Sequence, residues 1–557
     1  MSFFKYVIAA LFLCASFTDS YSQKKISRSD DVEVFTSKST KRKAKQTIDG
    51  FEKVERDNYV IRLWSKTGGY EYVTYDRELK IVDDYVEQEG EEEDDKRPKK
   101  SRDREKEHKH SFAFDFGENS YEFKGIVEAD EKLNVFTIAE LDEDGNESDT
   151  PTELGRIEGD DFYKKVSNSY MTQRLSEDGE KLLLLYKLAE RRDKNNEKVL
   201  RFRLMTFNLD MEQLMDEVVE FEDKRGRVLV GGEGWLTSSD RSAFRLRNDG
   251  SVHVWARVDK GRSQKKETRF DLLLYRFSDS GVVRSTVKNV NTNHWNSTFL
   301  DGEIVMLSTW GYKGYKFMGR WGPDPGQEGF LLARWSGEEG DKAKLSRIKF
   351  GAKHLSQNHP KKYATKLKKK EAKGKPVLAP YYSIDEIRVM ANGSLFILGQ
   401  ERYTVTTHTK HSSYTRYYYN DIHAFNITLD GDVNWSYVIP KAQMTGGYGG
   451  GGGHTTKVIG SKVYTIFNDN FRNYEKGWTP FKKKPYRFSG IDNPVALVTF
   501  DMSDPGAKQK RQLLWKSRAA GGLFDPEKFY SDDGEDFGLL YIQAGKLKQR
   551  LLRLDFK

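Results

Sequence analysis

"MANGSLFILGQ", Met390–Gln400, sets a polar tight turn directly before a run of strand-forming apolar residues. Asn392 and Gly393 tolerate the left-handed backbone that a hairpin turn demands, and Leu395 to Leu398 is an apolar run of strand rather than helix length. The same pattern recurs as "SEDGEKLLLLYKL" from Ser176, "RNDGSVHVWARV" from Arg247, "LDGEIVMLSTW" from Leu300, "IGSKVYTIF" from Ile459 and "SDDGEDFGLLYIQ" from Ser531. One structural unit is being repeated.

A second strand follows each copy and runs into another polar turn, as in "RFRLMTFNLD", "DLLLYRFSDSG", "FLLARWSGEEG", "DIHAFNITLDG" and "ALVTFDMSDPG", with "NVFTIAELDEDG" upstream as a further copy. The turn glycines at 179, 250, 302, 393, 460 and 534 are 71, 52, 91, 67 and 74 residues apart. Regular hairpins at irregular spacing describe propeller blades with variable loops, not a tight solenoid. With 59–85 and the segment around 112–157, the chain holds eight candidate blades, seven being the next count. The expectation is an all-β, single multi-bladed β-propeller. Its last blade stops at "KQRLLRLDFK" without room for an outer strand, so an N-terminal strand is expected to complete it and protect the sheet edges.

Two segments read as insertions. "EQEGEEEDDKRPKKSRDREKEHKH" (87–110) has an acidic half, a basic half and no apolar period, the composition of a disordered loop. The other is the lysine-rich 352–379 stretch, with a helix signal only in 361–373.

The start, "MSFFKYVIAALFLCASFTDSYSQ", reads as a signal peptide over 1–22, with Lys5, an apolar run from Tyr6 to Phe17, and Ser20 and Ser22 before the cut. A lipid anchor on Cys14 is the alternative, but Leu13 is bulky where an anchor motif needs a small residue. Cys14 is the single cysteine, so a mature chain 23–557 would lack disulfides, thiol chemistry and Cys metal sites. Later apolar runs are too short to span a membrane. These readings place the protein outside the cytoplasm, in the periplasm, on the outer membrane or beyond it.

The formal charge is +8, with basic stretches at 41–45, 361–375 and 481–487. Such stretches attract anionic headgroups, acidic glycans or nucleic acid, although solvated loop lysines are the more economical account and nucleic acid is not expected.

Over roughly 300–557 the sequence resembles a group of exported, functionally uncharacterised β-propeller proteins common in Bacteroidota. The resemblance is carried by Gly399, Asp421-Ile422, Asp430-Gly431, Trp435, Ile439-Pro440-Lys441 with Gln443, and Asn468-Asp469-Asn470 followed by Asn473. Gln400 stands where that group tends to have Glu, and the glycine loop is longer. The resemblance implies a fold and a compartment and brings no reaction with it.

That loop, "TGGYGGGGGHTTK" (445–457), formally contains a dinucleotide fingerprint at Gly447, Gly449 and Gly452. It follows a Pro-broken strand end and leads into a strand, so no helix N-terminus awaits a phosphate and no nucleotide is expected. An inter-blade crossing is the reading, with Tyr448 and His454 as tips able to touch a ligand. HExxH and GxSxG are missing, the histidines are scattered, and "LDEDGNESDT" (141–150) is a turn rather than a calcium loop. No metal or cofactor is expected.

Asp385, Glu386 and Asp421 lie near strand starts, where a glycoside hydrolase keeps its acid and base, but orienting a blade turn is the plainer role for Asp421. "STWGYKGYKFMGRWG" (308–322) interleaves Trp310, Tyr312, Tyr315 and Trp321 with Lys313, Lys316 and Arg320, a pattern suited to stacking sugars or an anionic partner. Two functions remain open. One is a non-enzymatic envelope platform binding a protein or surface glycan; the other is a glycan-processing hydrolase or lyase with carboxylates over a central channel.

Overall fold

The computed structural model of the chain describes residues 24–557 apart from 26–31, 37–39, 42–45, 55–57, 66–69, 78, 88–107, 129–130, 143–146, 148–150, 159–170, 193–197, 231–242, 262–268, 291–294, 301, 311–315, 318–319, 322–326, 376, 378–381, 410–411, 447–450, 476–482, 489–493, 503–509, 516–522, 532–535 and 544–547. The expected signal peptide, most of the charged 87–110 insertion, and Tyr312, Tyr315 and Tyr448 lie outside the described residues.

Each repeated hairpin of the sequence becomes two neighbouring strands of one antiparallel sheet. Met390 N donates to Ser394 O at 2.8 Å, Gly393 N donates back to Met390 O at 2.8 Å, and the Asn392 side chain accepts from both Ser394 N and Ser394 Oγ. Asp249 and Ser251 repeat this arrangement two sheets earlier, with Gly250 at φ +82° as Gly393 is at +75°. The turn is therefore a recurring local solution in which an Asn or Asp acceptor and a left-handed glycine close the loop.

Among the described residues there are eight antiparallel sheets of four to six strands and one two-stranded hairpin, Lys316–Phe317 with Arg320–Trp321. The strands of the eight sheets span 46–87, 108–158, 171–221, 227–287, 295–349, 382–445, 455–515 and 523–556, the last extended by N-terminal strands. Each is a meander, and the chain is all-β in the manner of a β-propeller. Val32–Thr36 pairs antiparallel with Lys548–Phe556, Val32 opposite Phe556.

Inner strands are apolar on both faces because a neighbouring sheet covers each face. Leu182 to Tyr186 are all fully buried, whereas Gln213–Phe221, the outer strand of that sheet, buries Met215, Val219 and Phe221 on one face and leaves most of its other residues exposed. Apolar clusters join the second sheet to the third, and so on in sequence order to the eighth. Another joins the eighth to the first through Tyr59, Ile61, Phe537 and Leu551, where Arg553 Nη1 donates to Tyr59 Oη at 3.1 Å.

Inside the lysine-rich segment, α1 (Ala352–Leu355) and α2 (Lys361–Ala372) form a small helical pair. Leu355 and Leu367 pack into the core shared by the fifth and sixth sheets. The Gln357 and Asn358 side chains donate to Ser436 O at 3.0 Å and Val438 O at 2.7 Å, carbonyls of the sixth sheet's edge strand Val433–Ile439. The insertion thus occupies hydrogen-bonding groups that an open edge would present.

Candidate functional site

Chemistry-bearing side chains concentrate on the sixth sheet at two of its three register shifts. One shift falls at Asp385, between Ile384 and Glu386, and another at Glu401, between Gln400 and Arg402, opposite Asn420 and Asp421. A bulge interrupts the two-residue alternation and re-aims its side chain. Asp385, Glu401 and Asp421 all sit at these interruptions.

The helical insertion supplies the partners. His359 Nε2 lies 2.9 Å from Asp421 Oδ2, and Asp421 Oδ1 accepts from Lys441 N at 2.9 Å. The His359 and Asp421 side chains are 9% and 13% exposed. Burial alone would discharge this pair, but the hydrogen bond and mutual charge prevail, raising His359 above its ordinary value and lowering Asp421 below its own. Asp421 therefore holds the backbone of the Pro440–Lys441 crossing through one oxygen and a histidine from a distant insertion through the other.

Glu401 has the opposite fate. Burial, reinforced by the Asp421 charge, pushes its carboxyl well above the carboxylate range. His423 Nε2 stands 3.5 Å from Glu401 Oε1, and His423 Nδ1 shares a 2.9 Å hydrogen bond with His354 Nε2. Burial drives His423 down to about 4 and His354 well below its usual value, so both rings are neutral. One carboxyl kept protonated beside one kept ionised is the arrangement from which acid and base roles are drawn.

On the other side of the bulge, Asp385 Oδ1 is 3.0 Å from Arg402 Nη2 and its Oδ2 is 3.7 Å from His454 Nε2. The His454 side chain is 3% exposed and contacts Gln400 Oε1 at 3.4 Å, so this residue is interior rather than an accessible loop tip. Among the described residues, no three His, Cys, Asp or Glu side chains converge as metal ligands.

Most of the residues on which the expected family resemblance rests form an interior network, while Asp430 lies exposed in its turn. Buried Lys441 donates through Nζ to Gln443 Oε1 at 2.9 Å and Gly453 O at 2.7 Å. Gln443 Nε2 donates to Asn468 O at 2.6 Å, while Asn468 Nδ2 donates to Gly451 O at 2.8 Å and Phe524 O at 2.6 Å. Asp469 accepts from Tyr474 Oη, Asn473 Nδ2 and Arg511, and Asn470 caps the short 3-10 turn Phe471–Tyr474. Trp435 packs into the core between the sixth and seventh sheets. These side chains tie the sixth, seventh and eighth sheets together.

The glycine loop belongs to that network. Gly451 and Gly453 offer carbonyls to Asn468 and Lys441, and a Cβ on Gly452 would lie 2.4 Å from the Tyr419 ring. The loop then enters the strand Thr455–Ile459. Close approach to a protein ring accounts for Gly452, and left-handed backbone at φ +75° and +98° accounts for Gly451 and Gly453.

A half-buried aromatic ladder with exposed arginines lies beside the network. The sixth-sheet strands Leu395–His408 and Ser413–Ile427 run 14 and 15 residues and extend beyond their blade as a hairpin. The Tyr403 and Tyr418 rings stack at 4.7 Å, Arg487 lies 5.4 Å over Tyr418, and Arg416 lies 5.0 Å over Tyr414. Cross-strand register puts Tyr403, Tyr418, Arg416 and Tyr414 on one face. In the sequence this ladder is marked only by the tyrosine density of "SYTRYYYN" (413–420), because the pairing of Tyr418 with Tyr403 is set by strand register. Trp310 instead lies half-buried on the fifth sheet, with Arg347 5.6 Å over its ring. Arg320 and Trp321 belong to the short hairpin.

No family model matches the chain, and no curated protein matches it. Among solved structures it is similar to prolyl oligopeptidase B from Galerina marginata, at TM-score 0.36 and 8% identity, over 90% of this chain and 56% of that one. It is also similar to the polysaccharide lyase Uly1, at TM-score 0.30 and 10% identity, over 80% and 89% of the two chains. A protein of unknown function from Bacteroides caccae gives TM-score 0.22 and 12% identity over 66% and 90%. The chain thus spans 56% of the length of the oligopeptidase.

Proposed function

We propose that the protein is an exported, eight-bladed β-propeller, closed by its N-terminal strand, that serves as a non-enzymatic binding platform in the cell envelope. The eight sheets in sequence order, the apolar cluster between the eighth and first, and the Val32–Thr36 pairing support the closed ring. The observation that carries the function is the Tyr403–Tyr418 stack with Arg487 and Arg416 on a hairpin longer than its blade requires. Flat rings interleaved with guanidinium groups stack sugar faces and bond carboxylates, so a surface glycan is the partner that fits.

Affinity electrophoresis of the purified protein through gels containing soluble polysaccharides tests this. Retardation by at least one polymer is expected, weakened about tenfold in Tyr418→Ala through loss of one aromatic face. Migration unaffected by every polymer would refute the platform.

The split states of Glu401 and Asp421 favour a second reading, glycan hydrolysis or elimination at the sixth blade. It predicts polysaccharide cleavage by the wild type that Glu401→Gln abolishes while leaving binding intact. Binding without cleavage leaves the platform reading.

A further inference from the structure

The basic stretches at 361–375 and 481–487 are more than a hundred residues apart in sequence, yet the fold sets them side by side. Lys484 Nζ lies 5.7 Å from the Tyr363 ring on the first turn of α2, and three residues later Arg487 covers Tyr418 of the hairpin ladder. Charge and stacking surface are therefore continuous.

Helix α2 carries six lysines and one glutamate in 12 residues. That glutamate, Glu371, accepts from the Ala352 amide at 2.9 Å, capping α1. Lys362, Lys366, Lys369 and Lys373 are exposed and recur at i, i+4, i+7 and i+11. They form one stripe about 16 Å long at the rise of an α-helix. Among the described residues none of these four has an ion-pair partner. Like charges one turn apart destabilise a helix, so the stripe is held at a cost that a bound polyanion would remove.

The chemistry of the partner follows from what surrounds the stripe. Leu367 is buried and Tyr363 half-buried against the blade, so α2 keeps no apolar face to insert into a bilayer. Seated on the core between the fifth and sixth sheets through Leu367 and Tyr363, it also presents no projecting helix for a duplex groove. A flexible linear polymer with repeated anionic groups and flat sugar faces suits both parts, its charges on lysine and its rings on tyrosine.

We infer that the α2 stripe, Lys484, Arg487 and the Tyr403–Tyr418 stack form one continuous surface that binds a linear acidic polysaccharide. This rests on the platform reading for its tyrosine end alone.

Titration calorimetry of the full chain with polygalacturonate, and with uncharged dextran as a control, tests it across a range of salt concentrations. Binding to polygalacturonate alone is expected, with log K falling linearly with log salt, and K362E/K366E/K369E is expected to weaken it about tenfold or more and flatten the salt slope. K362Q/K366Q/K369Q, which removes charge without reversing it, should fall between, and circular dichroism of both variants should match the wild type. Equal binding of dextran, with the charge-reversed variant unaffected, overturns the acidic-ligand inference and leaves the platform standing. Loss in the charge-reversed variant with Tyr418→Ala and Arg487→Ala unchanged overturns the single continuous surface and removes the tyrosine ladder as the platform's contact, leaving the polymer on the stripe alone. Tighter binding of a single-stranded DNA oligonucleotide or of phosphatidylglycerol vesicles at equal charge overturns the inference in favour of that partner.

Discussion

Gly452 illustrates how one residue type serves opposite ends. The same absent Cβ that lets a backbone approach phosphate here lets it lie under Tyr419 while neighbouring carbonyls receive Asn468 and Lys441. Gly452→Ala should therefore destabilise the fold by on the order of 2 kcal/mol, the usual consequence of overpacking. A thermal midpoint equal to the wild type's would show that the loop has room to move. Histidines set a second expectation at this scale. His253 is driven to about 3 and His423 to about 4 by burial, and His354 is lowered as well, all from an ordinary value of 6.5. Because the folded values lie below the unfolded one, the unfolded chain takes up protons first as acid is added, so this stability is full above pH 6.5 and is lost as pH falls toward 4. His359 has the opposite sign: its raised value keeps its contribution full below 6.5 and loses it as pH rises through the folded value. The raised Glu401 and Asp385 carboxyls oppose this trend, so the test is a comparison: from pH 6.5 to 4 the urea midpoint of the wild type should fall relative to that of His253→Phe, whose ring would keep the contacts with Phe299 and Trp335.

At the scale of elements, the helical insertion is held to the sixth sheet by the apolar contacts of Ala352, Leu355 and Leu367 and by a set of polar bonds. Asn358 has a left-handed backbone at φ +55° and donates to Val438 O, so two requirements meet in one side chain. Asn358→Ala should lose about 1–2 kcal/mol locally, from the orphaned carbonyl and the strained backbone. Hydrogen exchange should report it as faster exchange in 352–372 and in Val433–Ile439, with the other sheets unchanged; uniform loss across the chain would mean that the insertion is integral to global folding. The sequence marked the helix within 361–373 but not its role as an edge cover, because the bonds run from α1's exit to a strand some eighty residues away.

For the whole molecule, continuity around the sheets depends on contacts between blades. Asn468 links the seventh sheet to the glycine loop and to Phe524 of the eighth, and Val32–Thr36 supplies a strand to the eighth sheet from the other end of the chain. Deleting residues 23–36 should leave Lys548–Phe556 with an open hydrogen-bonding edge, lowering the thermal midpoint and promoting association. Light scattering during heating distinguishes this from simple truncation: an unchanged midpoint and monodisperse heating would refute the strand's role in closure.

The sequence alone was enough for the all-β class, the repeated hairpins and their turn positions. Those features depend on neighbours a few residues apart: Asn392, Gly393 and Ser394 satisfy one another, and Leu182 to Tyr186 declare by continuous apolarity a strand covered on both faces. Tertiary structure decided the site. A one-residue register slip at Glu401 faces it with Asp421, and insertion packing delivers His354 and His359 from about seventy residues upstream. The burial that makes Glu401 neutral and Lys441 interior exists only once the sheets have closed over them. Local pattern is written into sequence spacing, whereas desolvation and convergence belong to the packed molecule, which is why a turn residue in the sequence became, in the fold, the partner of a buried histidine.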